Sequence, residues 1–430
     1  MNKYQKYKES GIAWIGEIPE DWEVKKIKRL SIVKRGASPR PIHDPIYFDT
    51  DGEWAWVRIA DVSASERYLK DTTQVLSELG ASLSVKLLPG DFFLSIAGTV
   101  GKPIITKIKC CIHDGFVYFP YLNINPEFLY YIFSTRMPYQ GLGKWGTQLN
   151  LNTDTVGDIS IPLPDNNTID EIVLYLDKKI TEIDALIAQK EALLSLYEEE
   201  KAAIINQAVT KGIDPDVKMK ESGMPWLGEI PEHWDVKRLK YLFKFVVGFT
   251  PPSGKNEYYD NGIYTWITIA DMKGKYLSSS EKKITEKAIE DLAPNIVPKN
   301  SLLYSFKLSV GKVAFTKIDT FTNEAIFAVL PNKDLNLDYY YYSLPLQIIH
   351  NANENIYGAK IFNQELIKNA FLVAPPKDEQ KQIVHYLEKE LEKLENKIQK
   401  TKQIIKLQKE YRTALISEVV TGKIKVTEEA

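Results

Sequence analysis

Two stretches of this chain carry apolar residues at steps of four and three with little to break the rhythm. In the first, Ile169, Val173, Leu176, Ile180, Ile183 and Ile187 lead on to Leu194, Tyr197, Ile204 and Ala208. In the second, Val384, Leu387, Leu391, Leu394 and Ile398 lead on to Ile405, Leu415 and Val419. A sustained period near 3.5 residues is the coiled-coil signature. Gly and Pro vanish after Pro164 until Gly212, and again after Pro376 until Gly422. Each stretch therefore predicts a helix of about 40 residues, roughly 60 Å long. Either helix alone would leave a narrow apolar seam in water, so the two are expected to pack antiparallel on each other or on a partner's helices. Lys190, Lys201, Thr401, Gln408 and Arg412 interrupt the seam. They either loosen the packing and fix its register or offer a polar contact to a third helix.

The pattern ahead of each helix is different. Short β-branched and aromatic runs at 53–59, 91–96, 111–119, 263–269 and 301–306 are broken by Gly, Pro, Asn and Asp, with helical stretches at 126–134 and 337–351. This predicts a compact mixed α/β (α+β) domain with many strands and long loops before each helix.

The order of elements repeats because the sequence does. Residues 8–28 read KESGIAWIGEIPEDWEVKKIK and residues 220–240 read KESGMPWLGEIPEHWDVKRLK, with 14 of 21 positions identical. WVRIAD at 56–61 pairs with WITIAD at 266–271, Gly101-Lys102 with Gly311-Lys312, and Val209-Thr210 with Val420-Thr421. A repeat of this length is a whole domain with its connector, not a solenoid unit. The expected divisions are an opening segment 1–20, a first globular domain 21–163, a first long helix 164–212 and a connector with repeated opening 213–232. A second globular domain 233–374, a second long helix 375–424 and a tail 425–430 follow. If the helices run antiparallel, a pseudo-two-fold axis relates the halves and the chain is nearly circular in space, like a caliper. Trp14, Trp22, Trp226 and Trp234 are expected to pin the opening segments to their domains.

Composition sets limits on chemistry. With 44% apolar and 26% charged residues the chain is an ordinary globular one. No apolar run approaches the ~20 residues of a membrane span, and the start is polar, so a cytoplasmic protein is expected. Cys110 and Cys111 are adjacent and unsuited to a disulfide framework; one face of their strand is expected to bury a thiol. Two cysteines and five histidines make no metal-ligand cluster. The net charge of −2 argues against indiscriminate nucleic-acid binding but leaves room for a local basic face. No phosphate loop is present: Gly98–Lys102 has the wrong spacing, and Pro103 stands where a Mg²⁺-holding Ser or Thr would be. There is no Gly-rich cofactor loop and no N-P-P-[YF] or D-P-P-[YF] tetrapeptide, since Pro375-Pro376 lies in APPK; Asp214-Pro215-Asp216 reads as a linker turn.

Three loop segments in each half have chemistry suited to nucleic acid. The first contains Lys34, Arg35 and Arg40 in one half and Lys255 in the other, beside Gly- and Pro-marked turns. The second is the Gly-Lys loop, with Lys102 in one half and Lys307 and Lys312 in the other, a candidate phosphate clamp. The third holds Lys144, Trp145, Gln148 and Asn150, matched by Tyr357, Lys360 and Asn363. Gln and Asn can bond adenine bidentately in a major groove, and Trp or Tyr can stack or wedge. A Gly-Lys hairpin is also an ordinary turn, and a loop lysine is often merely solvated.

The repeated SG-x-x-W-x-GEIP-x-x-W opening, the GASP and GFTP turns before WVRIAD and WITIAD, and the GTVGK and LSVGK loops make a combination. With the helices that begin PDNNTIDEIVLYLD and PKDEQKQIVHYLE, it covers essentially the whole chain. In that combination the chain resembles the specificity subunit of a type I restriction–modification enzyme. The resemblance implies two target-recognition domains, each reading half of a bipartite, asymmetric double-stranded DNA site, and paired helices that set the spacer. It also implies two methyltransferase subunits, docked on helices and domains, that use S-adenosylmethionine to methylate adenine by base flipping. Restriction subunits would add ATP- and Mg²⁺-dependent cleavage, leaving this chain non-catalytic and without a cofactor. Two other readings stand beside it: a coiled-coil adaptor whose domains bind proteins, and a self-sufficient enzyme with an unrecognised site. The halves match worst between the frames; 65–84 has little counterpart in 278–298.

Overall fold

The structure, a computed structural model, describes residues 3–142, 151–307, 309–354 and 360–426. It divides into two compact units. One comprises 1–191 with 402–430, and the other 192–401. Each unit thus holds one globular domain together with part of both long helices.

In the first unit, among the described residues, two five-stranded sheets form the domain. One runs in the order Lys34–Arg35, Phe116–Tyr118, Phe92–Ser95, Pro103–Thr106, Tyr68–Leu69, antiparallel except for the last pair. The other runs Phe48–Asp49, Gln74–Leu76, Trp54–Val57, Cys110–Ile112, Val85–Leu87, with its central pair parallel. The Phe92–Ser95 strand is buried throughout, and Phe93 meets Phe116 edge-on at 5.5 Å. The second unit repeats this order. Phe245–Val247, Ile326–Val329, Leu302–Ser305, Val313–Thr316 and Tyr276–Leu277 form one sheet; Lys283–Ile284, Tyr264–Ile267 and Phe321–Thr322 form the other. In both units the strand entering the domain pairs with the strand leaving it, Glu23–Lys26 with Ser160–Leu163 and Asp235–Arg238 with Phe371–Ala374. Each domain is therefore closed at its neck before the long helix starts.

Two details differ from the sequence expectation. The apolar run at 111–119 is two strands in different sheets, Cys110–Ile112 and Phe116–Tyr118, because His113–Gly115 turns the chain between them. Both faces of the first strand are covered: Cys110 packs with Val57, Phe93 and Phe116, and Cys111 with Trp56 and Leu76. Both thiols are fully buried, and burial pushes them up to about 12 and about 11, so they are inert apolar fillers. Likewise, the segments that diverge most in sequence keep one architecture. Gln74–Leu76 then Glu78–Ser82 in the first unit, and Lys283–Ile284 then Glu286–Leu292 in the second, are each a strand followed by a short helix capped by Ser77 or Thr285.

The first helix spans Asn166–Lys211 and the second Lys377–Val420. Asp165 starts the first by accepting from the Thr168 amide at 3.0 Å. Asp378 and Glu379 lie in the first turn of the second, where acidic groups favour the helix dipole. In the first unit Arg412 donates to both Asp184 carboxylate oxygens at 2.8 and 3.1 Å, and Lys409 pairs with Glu191 at 2.9 Å. Partners that advance on one helix and retreat on the other make the pairing antiparallel. In the second unit Lys397 lies over Tyr197, while Val384 and Leu387 share a core with Ala208 and Val209, so the direction is the same. Val173, Leu176, Ile180, Ile183 and Ile187 are buried, as are Val384, Leu387, Leu394 and Ile398; Leu391 is half-buried. Thr401 is buried, whereas Arg412 uses its polarity across the helix pair.

The opening segments close the ends of these helices. In the second unit Trp234, wholly buried, lies against Gly212 just past the end of the first helix. In the first unit Pro19 and Trp22 lie against Gly422 past the end of the second helix. Gly422 has φ +74°, and a Cβ there would sit 2.4 Å from Pro19, so the close approach requires glycine. The Tyr7 hydroxyl also donates to the Lys423 carbonyl at 3.4 Å. The two ends of the chain thus meet through space in the way that consecutive segments meet in the second unit. Among the described residues, no helix is long and apolar enough to cross a membrane.

Candidate nucleic-acid interface

Four turns converge at one edge of each domain. In the first unit they are the segment after Lys34–Arg35, the His113–Gly115 turn, the Gly-Lys loop and the entry to the helix Ile59–Ala64. Gly36 donates to the Phe116 carbonyl at 3.0 Å, and a Cβ on Gly36 would lie 2.2 Å from the His113 oxygen. Gly248 in the second unit donates to Ile326 at 3.1 Å, with the same 2.2 Å approach to Asn323. Only glycine lets the backbones lie this close, which is why GASP and GFTP each follow a glycine-tolerant strand end.

The cations of the first face are held in place. Ser38 donates to Asp114 Oδ1 at 3.2 Å, Arg40 to Asp114 Oδ2 at 3.2 Å, and Arg35 Nε to the Asp114 carbonyl. Burial works to raise the Asp114 carboxyl, but Ser38, Arg40, Arg35 and His113 outweigh it and hold the group below its ordinary range. His113 is held below its ordinary value by burial against Trp56 and Phe116, and its Nδ1 accepts from the Gly115 amide at 2.8 Å. Lys34, Arg35 and Arg40 remain exposed. Arg58, which the sequence reading passed over, joins them from the start of the helix Ile59–Ala64, bonded to Thr73 and paired with Asp61 at 3.7 Å. Its signal was the one polar mismatch, Arg against Thr268, inside an otherwise matched WVRIAD/WITIAD motif.

The Gly-Lys loops are the same tight turn in both units. Ser95 donates to the Lys102 carbonyl at 3.0 Å and Gly101 to Ser95 at 2.8 Å; Ser305 and Gly311 repeat both bonds at 2.9 Å. Lys102 Nζ donates to the Ser63 carbonyl at 3.0 Å, at the end of the Ile59–Ala64 helix, and burial holds its pKa below the ordinary value. Lys312 Nζ reaches the Ile269 carbonyl at 3.5 Å. Both lysines are therefore engaged in tying the loop to its neighbour, which is a structural task compatible with an outward-facing ammonium. Lys307 is exposed beside Phe306, and Lys255 is exposed with its Nζ 3.3 Å from the Tyr258 hydroxyl.

The third segment is mostly beyond description. Lys144, Trp145, Gln148, Asn150 and Tyr357 lie outside the described residues, and Lys360 is described only as backbone, in the strand Lys360–Ile361. Asn363 caps the helix Gln364–Asn369, its side chain accepting from Leu366 at 2.8 Å. Its counterpart is Asn152, not Asn150. Asn152 caps Thr153–Gly157 by accepting from Asp154 and Thr155 at 3.0 and 2.9 Å, ahead of the matching exit strand. The Asn363 carbonyl oxygen is thus spent on a cap, which speaks for a frame residue at that position.

Equivalent turns let the two faces be compared position by position. Lys34, Arg35, Arg40 and Arg58 of the first stand where Val246, Val247, Pro252 and Thr268 stand in the second, and His113-Asp114 where Asn323-Glu324 stand. Among the described residues no group of three or more His, Cys, Asp or Glu could hold a metal ion. The described residues of the edges offer cations, amides and hydroxyls, which suits recognition of a polyanion.

Comparison with known proteins agrees with this reading. The family of type I restriction modification DNA specificity domains matches residues 19–195 and 231–407. The MjaIX specificity subunit of Methanocaldococcus jannaschii is 25% identical over 432 residues, 96% of each chain. A chain solved in work on complex assembly and conformational transition of the type I R-M system superimposes with TM-score 0.71 at 16% identity, over 95% of this chain and 99% of that one. The HsdS subunit of Thermoanaerobacter tengcongensis gives TM-score 0.56 at 16% identity, over 95% and 98%. With the family matching both halves, the chain belongs to the type I restriction–modification DNA specificity family, as a non-catalytic subunit that recognises the DNA target and directs methylation and restriction by its partner subunits.

Proposed function

We propose that each unit reads one half of a bipartite, asymmetric double-stranded DNA site, with the paired helices setting the length of the unread spacer. The observation that carries this reading is the contrast within the repeat: necks, helix ends and turns coincide in the two units while the residues on the converging turns do not. Two unlike readers on one frame give an asymmetric split target, and each raises the effective concentration of the other. Lys34, Arg35, Arg40, Lys102, Lys255, Lys307 and Lys312 are the phosphate-facing candidates. Lys144, Trp145, Gln148, Asn150, Tyr357 and Lys360 are the candidates for reading or wedging bases, while Asn363 serves the frame as a helix cap. Two methyltransferase subunits, which bring S-adenosylmethionine to adenine, dock along the helices and domains; restriction subunits bring ATP and Mg²⁺. Such a protein works in the cytoplasm.

The test is a change of ruler. Inserting one heptad after Leu194 and one after Thr401 keeps the apolar seam in register and lengthens each helix by about 10 Å. The methylated target should keep its two half-sites and gain about three base pairs of spacer, at 3.4 Å per base pair. An unchanged spacer in methylome sequencing would refute the reading.

A further inference from the structure

A cluster of half-buried charge lies where each domain meets its long helix, and it occurs twice. In the first unit the Arg67 guanidinium, 15% exposed, stands between two carboxylates. Its Nε donates to Glu127 at 2.5 Å, on the domain's own helix Pro126–Ser134, and its Nη1 donates to Asp177 at 2.5 Å, on the first long helix. Tyr68, Tyr130 and Tyr131 wall the cation at 4.8 to 5.1 Å, with Tyr131 also donating to Asp177 and Tyr68 to Glu127.

The second unit repeats each part with different residues. Lys275 lies 3.3 Å from Asp338, on the domain helix Leu337–Ile348, and 3.2 Å from Glu388, on the second long helix. Tyr276, Tyr341 and Tyr342 wall it at 5.3 to 5.7 Å. In both units the cation belongs to the domain, one anion to the domain and the other to the long helix.

We propose that these two clamps are positioning devices that fix the angle at which each recognition domain is held on its helix, and so the separation at which the two half-sites are read. The inference rests on the two-reader function. Apolar contact between a domain and a helix is non-directional and tolerates sliding. A cation between two carboxylates and three ring hydroxyl-bearing walls has few geometries that satisfy every partner, and polar groups of this kind set register better than they add stability. In the first unit a cleft of about 1420 Å³, lined by Asp61, Lys70, Thr181 and Arg412 among others, opens beside the clamp. The clamp is thus where packed contact between domain and helix gives way. Arg67 can fork to several partners at once where Lys275 is a point charge, so the first domain is held the more stiffly.

The test uses the specificity subunit assembled with its methyltransferase partners. Duplexes carry the methylated target with its own spacer or one base pair longer or shorter. Asp177→Asn and Glu388→Gln remove only the helix-side anion, leaving each cation its domain-side carboxylate and each domain core intact. Each variant should lose about tenfold of the preference for the natural spacer, a change of about 1.4 kcal/mol, while still rejecting a scrambled half-site as the parent does. Lys275→Arg, which keeps the charge, should retain the preference. Unchanged spacer preference in both anion variants would overturn the inference. So would equal loss of spacer and half-site discrimination, because the reader itself would then be damaged. A parent protein indifferent to spacer length would instead sink the two-reader function, and this inference with it.

Discussion

The two candidate edges share a backbone pattern and differ in charge. Gly36 and Gly248, the Gly-Lys turns and the helix entries at Arg58 and Thr268 superimpose in their hydrogen bonds. Yet four cations of the first edge are replaced by Val246, Val247, Pro252 and Thr268 in the second. The difference teaches that the duplicated part is the mount. A turn held by backbone bonds tolerates any outward side chain, so the edge can change partners while the frame stays fixed. Under the proposed function it also makes the readers unequal: the first would have more to offer phosphates, and the second would lean more on shape and neutral contacts.

The largest test of equivalent mounts is at the seam. Leu176→Ala and Leu387→Ala, both wholly buried at matching places, should each cost about 2–5 kcal/mol and differ from each other by less than about 1. Denaturant unfolding followed unit by unit by hydrogen exchange checks this; a large cost in one unit alone would break the comparison. Next come Gly36→Ala and Gly248→Ala, where the added methyl meets a carbonyl oxygen in each unit. Both should destabilise their units by about 1–3 kcal/mol, seen as lower denaturant midpoints.

The electrostatic inequality predicts a smaller, one-sided effect. Removing Arg35 and Arg40 together should lower the slope of log affinity against log salt by about 1–2, uniformly across sequences. Lys255→Ala in the second unit should change it by no more than about 1. Equal slopes after both changes would remove the claimed asymmetry. The smallest expected effect is on pH. Burial holds His113 below its ordinary value near 6.5, so the unfolded chain takes up that proton first as pH falls. The His113 contribution to the stability of the 110–118 segment is therefore complete above about 6.5 and lost as pH falls through the folded value. Asp114, also depressed, adds loss of the same sign at lower pH. Exchange protection at 110–118 should fall before that at 321–329, where Asn323 does not titrate, and His113→Asn should abolish the lead.

Legibility in the sequence followed the range of the interactions. The helices were readable because a 3.5-residue period is written in neighbouring residues, and Leu176 or Leu387 needs no distant partner to declare its face. The paired strands were readable as runs, but the split of 111–119 was not. His113-Asp114-Gly115 is a turn only because two sheets compete for the strands on either side. The candidate site was readable as segments and poorly as side chains. Lys102 is legible as a candidate phosphate contact, but not its bond to the Ser63 carbonyl, 39 residues away, which ties the loop to its neighbour. Asn150 looked like the partner of Asn363 until Asn152 was seen to be the cap. The Arg67 and Lys275 clamps left a trace in the recurring Arg-Tyr, Lys-Tyr and Tyr-Tyr pairs, but no local pattern announces that a cation will bridge two elements.

By itself, then, the sequence determined the duplication, the two long helices, their seam and the absence of recognisable catalytic machinery, all of which are local or periodic properties. Tertiary structure alone decided which loops share an edge, which arginines stand ready on Asp114, that Trp22 closes the far end of the second helix, and that in each unit a half-buried cation pairs with a carboxylate of the long helix. The reason is physical. Period and propensity act over a few residues, whereas a salt bridge or a close glycine contact of this kind exists only after chain segments tens to hundreds of positions apart have been brought together.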